Sequence, residues 1–382
     1  MNIYLLHVAL VTNYLYIFIN GQALQHAKNL HSALLSGYMK DVFPRDNESE
    51  PLNIDIGCIL FSVNSFQEVE EIISVTAGID LSWTDISLAW DPTSYGGKEY
   101  TLFPSNLIWK PYVFLLNTPD ALKIVGEDSE YIALVNYNGS VSNTPGDVMV
   151  ATCPADVSKF PYDVQICTLE FVPWGYLSWA IKFTSQIDSV YTFYYTENSD
   201  WKITQHSTSI ELVGIGIYSF KGKITIKREP TYYMVTIIIP TLLFCLLNPL
   251  VFLLPVDSGD RISLSMKILL SYAIFLTLVS SSIPATSNPM CVLLLVLIII
   301  IMISGMIAVF AIITLKYYHD DEYNLGKCSM VLIRLTGQQK IVSADKCLSG
   351  KEFSRSLDRL FIVISYVLLF IVILSYIIFV ST

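Results

Sequence analysis

With 382 residues, 53% of them apolar and 15% charged, the chain is too apolar for an ordinary soluble protein. A net charge of −10 disfavours nucleic-acid binding. The five histidines show no metal-ligand spacing, no Gly-rich phosphate loop is present, and carboxylate pairs such as Glu70-Glu71 read as solvated charges, so neither an enzyme nor a metal or cofactor site is expected.

Residues 1–23 read as a cleaved signal peptide, an apolar run from Ile3 to Ile19 followed by the small-residue pattern Gly21-Gln22-Ala23. From Leu24 to Val42, apolar positions Leu30, Leu34, Leu35, Tyr38 and Val42 recur at steps of three and four, which predicts an amphipathic capping helix ended by Pro44. Short alternating runs follow, punctuated by Asp91-Pro92, Gly96-Gly97, Asn138-Gly139 and Pro145-Gly146, the turn spacing of an antiparallel β-sandwich. Residues 24–229 carry 13 basic and 25 acidic side chains, a net of −12. Two acceptor sequons, at Asn47 and Asn138, mark this block as glycosylated and exported.

Four apolar segments are long enough to cross a bilayer: Tyr232 to Leu254, Arg261 to Ser282, Met290 to Lys316 and Arg359 to Val380. Counted with the flanking Lys316 and Arg359, the stretch between the third and fourth carries eight basic and six acidic residues, so residues 317–358 are expected in the cytosol, with 230–316 holding the first three spans and 359–382 the last. Cys245 and Cys291 read as packing residues of the spans, and Cys328 and Cys347 as reduced thiols of the cytosolic loop. The fold class is therefore an α+β multidomain membrane protein, an extracellular β-sandwich with an N-terminal capping helix followed by four transmembrane α-helices. It is expected as a multi-pass protein of the cell membrane, in contact with lipid.

The second span is the polar one. Ser263, Lys267, Leu270, Ile274, Thr277 or Leu278, and Ser281 fall on one helical face at steps of three and four. Ser265, Ser271 and the serines and threonine of that face are too many polar groups for a span turned to lipid.

An ordered set of motifs then carries a resemblance. It comprises Trp83, Trp90-Asp91-Pro92, Ile108-Trp109-Lys110-Pro111, Cys153 and Cys167 enclosing thirteen residues with Phe160-Pro161-Tyr162-Asp163, Arg228-Glu229-Pro230, Pro240, Pro284-Ala285-Thr286-Ser287 and Asp358-Arg359-Leu360-Phe361. In this set the chain resembles nicotinic-receptor-type subunits of the Cys-loop pentameric ligand-gated ion channels. The resemblance implies a Cys153–Cys167 disulfide, which leaves Cys58 a buried free thiol, and a pentamer of like or related subunits with ligand sites between neighbouring sandwiches. A postsynaptic placement is a further expectation of this kind. It also implies coupling at the base of the sandwich through Phe160, Pro161, Pro284 and an ion pair of Arg228 with Glu68.

The same resemblance makes the polar face of the second span the pore lining, with Leu270 and Ile274 as apolar gate rings. Asp260 would form an acidic ring about 10 Å from a ring of Lys267, near one Debye length at 0.1 M salt, so the rings need not cancel. The chain lacks the inserted proline-alanine pair of anion-selective relatives. The reading taken is a cation-permeable channel. The alternatives are an anion-permeable pore set by Lys267 and a non-conducting accessory subunit.

At the ligand site, the aromatic box that holds acetylcholine in the family is dismantled. Alignment places Leu116 at its first tyrosine, Asn143 at its tryptophan and Gly78 at the tryptophan of the complementary side, and leaves Tyr218 as a remaining aromatic. Gly78 and Leu116 are expected to leave room for an amphipathic or neutral small molecule rather than an acetylcholine-like agonist. Tyr191 and Tyr194 would approach from the neighbouring subunit.

Overall fold

The computed structural model describes residues 23–45, 47–214, 216–281, 283, 289–319 and 350–381. The expected signal peptide up to residue 22, Pro284, and the loop cysteines 328 and 347 lie outside them. The chain divides into two compact units. The first holds residues up to Gln67 together with Glu71–Pro154 and Ile166–Ile226; the second holds Glu68–Glu70, Ala155–Gln165 and everything from Lys227 onward.

The first unit opens with a helix, α1, over 23–35. It is shorter than its apolar pattern predicts: Gly37 takes a left-handed φ of 81°, a conformation that ends helices and favours glycine, so Pro44 is not the stop. Leu30 and Leu34 are buried, whereas Val42, beyond the end, is exposed. The Tyr38 hydroxyl donates to Asp85 Oδ2 at 2.7 Å and accepts from the Trp109 amide at 3.0 Å, which ties the segment after α1 to two turns of the sandwich.

Among the described residues, eleven strands follow in two sheets. The larger sheet has the order β3(Tyr100–Pro104), β5(Ile132–Asn136), β6(Ser140–Asn143), β2(Ile72–Thr84), β1(Leu52–Gln67), β9(Ile181–Thr184), with β7(Gly146–Thr152) also paired to β2. The smaller runs β10(Trp201–Val213), β11(Ile217–Arg228), β8(Val164–Val172), β4(Phe114–Leu115). Burial alternates along the strands, as period-two side chains of a sandwich must: Ile54, Ile56, Cys58 and Leu60 on β1, Ile73, Val75, Ala77 and Ile79 on β2, Cys167, Leu169 and Phe171 on β8. Cys153 is joined to Cys167, and Cys58 is a buried free thiol whose burial pushes its pKa up to about 12.

Among its described residues the second unit has four helices long and apolar enough to cross a membrane: α2(Thr231–Leu253), α3(Gly259–Ser281), α4(Val292–Tyr318) and α5(Gly350–Ser381). The helix α2 is irregular, with a π-helical turn at Met234–Ile238 just before Pro240, which has no amide hydrogen to give the ladder, and a 3-10 stretch from Asn248 that contains Pro249. The helix α5 begins at Gly350, not at Arg359. Its first turns mix buried Phe353 and Leu357 with polar Ser354 and Asp358, so they are helical without being apolar enough to read as a span. Residues 350–358 form a helical lead-in continuous with the fourth span.

Candidate functional site

Three constellations hold the residues singled out in the sequence. The first is the ligand region of the sandwich. Leu116 follows β4 and its amide donates to the Glu170 carbonyl of β8 at 2.7 Å, while Tyr218 lies on β11, the other neighbour of β8, so these two share the smaller sheet. Asn143 does not join them. It sits on β6 of the larger sheet opposite Leu81, and it is 3% exposed, so the alignment from Cys153 does not bring it to Leu116. Trp174, two residues beyond the end of β8, is 49% exposed.

Gly78 also differs from expectation. A Cβ there would stand 3.4 Å from the Phe61 ring and 3.4 Å from the Pro145 carbonyl, so the space left by the missing side chain is taken by Phe61. Tyr194 stacks on Phe61 with ring centroids 6.4 Å apart, and Tyr191 packs toward Phe193 at 6.3 Å. Phe193 is 87% and Tyr194 74% exposed, which makes this an uncovered aromatic face on the larger sheet. Asn47 and Asn138 are both at the surface, each accepting from the backbone two residues on in a turn.

The second constellation is charged and buried. Arg228, the last residue of β11, donates from Nε to Asp163 Oδ1 at 2.7 Å and from Nη2 to Asp163 Oδ2 at 3.1 Å, and Nη2 lies 2.6 Å from Glu68 Oε1. Its guanidinium lies 5.1 Å from the ring centre of Phe160 and 5.2 Å from that of Tyr233. Burial pulls the guanidinium pKa down, but the two carboxylates outweigh it and hold the pKa above its ordinary value. Asp163 was quoted in the sequence only as part of a motif, yet it is the bidentate partner, and Glu68 completes the pair. Pro161 is buried beside Phe160, whose carbonyl accepts from Tyr376 of α5 at 3.1 Å. A cavity of about 560 Å³ opens nearby among Tyr162, Met234, Thr241, Leu297 and Tyr376.

The third is α3. Asp260, Ser263, Lys267, Leu270, Ile274, Thr277, Leu278 and Ser281 are all exposed, whereas Arg261, Ser265, Ile268, Tyr272 and Val279 are buried against the rest of the bundle. Ser265 thus belongs to the packed face, not the polar one. On that packed side Arg261 pairs with Asp358 of α5 and lies 5.1 Å over the ring of Phe252. Among the described residues Lys267 makes no ion pair with Asp260. No cluster of His, Cys, Asp and Glu among the described residues is placed to hold a metal ion.

Comparison with known families decides what these elements belong to. The model of the neurotransmitter-gated ion-channel ligand binding domain matches residues 27–230, more than half of the chain, and that of the neurotransmitter-gated ion-channel transmembrane region matches 237–330. The chain belongs to the neurotransmitter-gated ion-channel family. Within that family it is 31% identical over 269 residues to the neuronal acetylcholine receptor subunit alpha-6 of Pan troglodytes, covering 68% of this chain and 53% of the relative. It is 30% identical over 286 residues to the alpha-6 subunit of Rattus norvegicus, covering 72% and 57%. Against the acetylcholine receptor subunit alpha-1-B of Xenopus laevis it is 30% identical over 269 residues, covering 69% and 58%. The chain spans little more than half the length of these relatives. Family and helices together make it a multi-pass membrane protein.

Proposed function

We propose that the chain is a subunit of a pentameric ligand-gated ion channel whose pore is lined by the exposed face of α3 and whose agonist binds between neighbouring sandwiches. The division of α3 carries the reading: one face bears Ser263, Lys267, Leu270, Ile274, Thr277 and Ser281 and is left exposed by the described residues, while the other packs into the bundle. A helix divided in this way, with polar residues on the uncovered face, suits a water-filled axis shared with like or related subunits. Leu270 at 62% and Ile274 at 53% exposure supply apolar rings that can close by dewetting.

The proposed permeant ion is a cation. Asp260 stands at one mouth of α3, and the acidic excess of the sandwich, repeated around a ring, would concentrate cations. Five confined ammonium groups repel one another, which favours Lys267 side chains displaced toward Asp260. A charged Lys267 ring favours the second reading, anion permeation. The proposed agonist is amphipathic or neutral: Leu116 and Gly78 replace two aromatics of the acetylcholine box, Tyr218 remains, and Phe61 with Tyr191 and Tyr194 lines the opposing face. Glu68, Arg228, Phe160, Pro161 and Pro284 are proposed to transmit binding to the gate, which requires the ligand to prefer one state of the channel.

Voltage clamp of cells expressing Leu270→Ser tests the channel reading without knowledge of the agonist, since a polar ring eases hydration of the gate. A current whose reversal follows sodium supports the cation channel. Reversal that follows chloride replaces it with the anion channel, and silence from surface-expressed protein replaces it with an accessory subunit.

A further inference from the structure

The interior of the helix bundle holds polar groups that the protein itself does not satisfy. Asn248 of α2, Ser265 of α3 and Ser304 of α4 are each fully buried, and neither oxygen nor nitrogen of the Asn248 amide, nor either serine hydroxyl, has a hydrogen-bond partner among the described residues. The usual remedy inside an apolar helix is a bond from the hydroxyl to a carbonyl one turn back. Thr241, Ser271, Thr277, Thr314 and Ser356 in these same helices all take it, to Ile237, Lys267, Ala273, Ala311 and Glu352. Ser265 and Ser304 do not.

These groups share one depth. Ser354 of α5 donates to the Thr314 carbonyl of α4, and Arg261 of α3 pairs with Asp358, one turn along α5 from Ser354. Tyr366 of α5 donates to the Leu246 carbonyl of α2 at 2.9 Å. At about 1.5 Å per residue, Ser265 then lies ~12 Å, and Ser304 and Asn248 each ~15 Å, from the Ser354–Thr314 level. Each also lies on the inward face of its helix: Asn248 between Cys245 and Val251, Ser265 one turn before Ile268, Ser304 beside Ile300 and Ile307, all members of the one apolar core. At the near edge of this layer, Arg261 Nε is a further buried donor without a partner among the described residues.

We propose that this layer is a hydration site, in which internal water bridges Asn248, Ser265 and Ser304 and so joins three helices. A buried water is held by two to four polar partners, and the layer offers them from separate helices, donors and acceptors both. Hydrocarbon outside the bundle offers the same groups nothing. The inference does not depend on what the channel binds or conducts.

Radiolytic hydroxyl labelling of the full-length protein in lipid nanodiscs tests it, because radicals form from water held inside a protein and mark side chains that bulk solvent does not reach. Tyr272 and Ile268, 1% and 6% exposed, are the reporters. The expected result is labelling of both in the wild type and a fall of at least severalfold in Ser265→Ala and Ser304→Ala. Unlabelled reporters, or labelling that neither substitution changes, would overturn the proposal. Thermal unfolding gives a second readout should labelling be hard to assign. Shared water predicts that each substitution lowers the midpoint and that the double variant loses less than the sum. Two substitutions that each raise the midpoint and simply add would show hydroxyls buried dry.

Discussion

Two arginines are buried in the same unit of this protein and are neutralised in different ways. Arg228 meets two carboxylates, from the β1–β2 turn and from the segment between the disulfide cysteines, and is flanked by two aromatic rings. Arg261 meets one carboxylate and one ring, and its Nε is a donor with no partner among the described residues. A buried pair contributes little net stability over an apolar replacement, yet removing one member leaves a charge without compensation. The difference between the two sites is therefore in how many charges a single loss would strand. Arg228 holds together three stretches of chain, whereas Arg261 pins one helix to another.

Substitutions can separate these cases. Arg228→Ala strands both Glu68 and Asp163 and should produce the largest effect, about 3–5 kcal/mol, measured as the drop in thermal midpoint of the solubilised full chain and in surface expression. Arg261→Met should cost about 3 kcal/mol by leaving Asp358 alone, and adding Asp358→Leu should recover most of it. If the double variant is no better than the single, the contrast between a fastening pair and a replaceable pair collapses. Asp163→Asn removes the bidentate acceptor but leaves Glu68, for a loss of about 1.5–3 kcal/mol. Glu68→Gln should be mildest, under about 1 kcal/mol, because the carboxylate is 18% exposed and water can replace much of its bond. A Glu68→Gln loss equal to that of Arg228→Ala would show that Glu68, not Asp163, carries the site.

What could be read from the chain was what is local. Short alternating runs between turn dipeptides pointed to a sandwich without bounding its strands, apolar length gave four helices, and steps of three and four placed Ser263 through Ser281 on one side of α3. The missing parts have a common cause. Arg228 and Asp163 are 65 residues apart, and Arg261 and Asp358 are 97 apart, so no periodicity in a short window couples them. Phe61 was passed over because it looks like one more β1 residue until Gly78 is found under its ring. Hydropathy does not register the polar helical lead-in from Lys351 to Asp358, so the apolar pattern of α5 starts only at Arg359. The end of α1 was set by the φ of one glycine, which apolar spacing does not report.

The three-way meeting at Arg228 also imposes an order on biosynthesis. Glu68 and Asp163 are made long before their cation, and neither can leave water at low cost until residue 228 has been translated. The turn after β1 and the segment closed by the disulfide must therefore stay solvated while β9, β10 and β11 emerge, and they settle only as the ribosome reaches the first membrane helix. A chain stopped before Arg228 would carry nearly every strand and still be unable to finish its base.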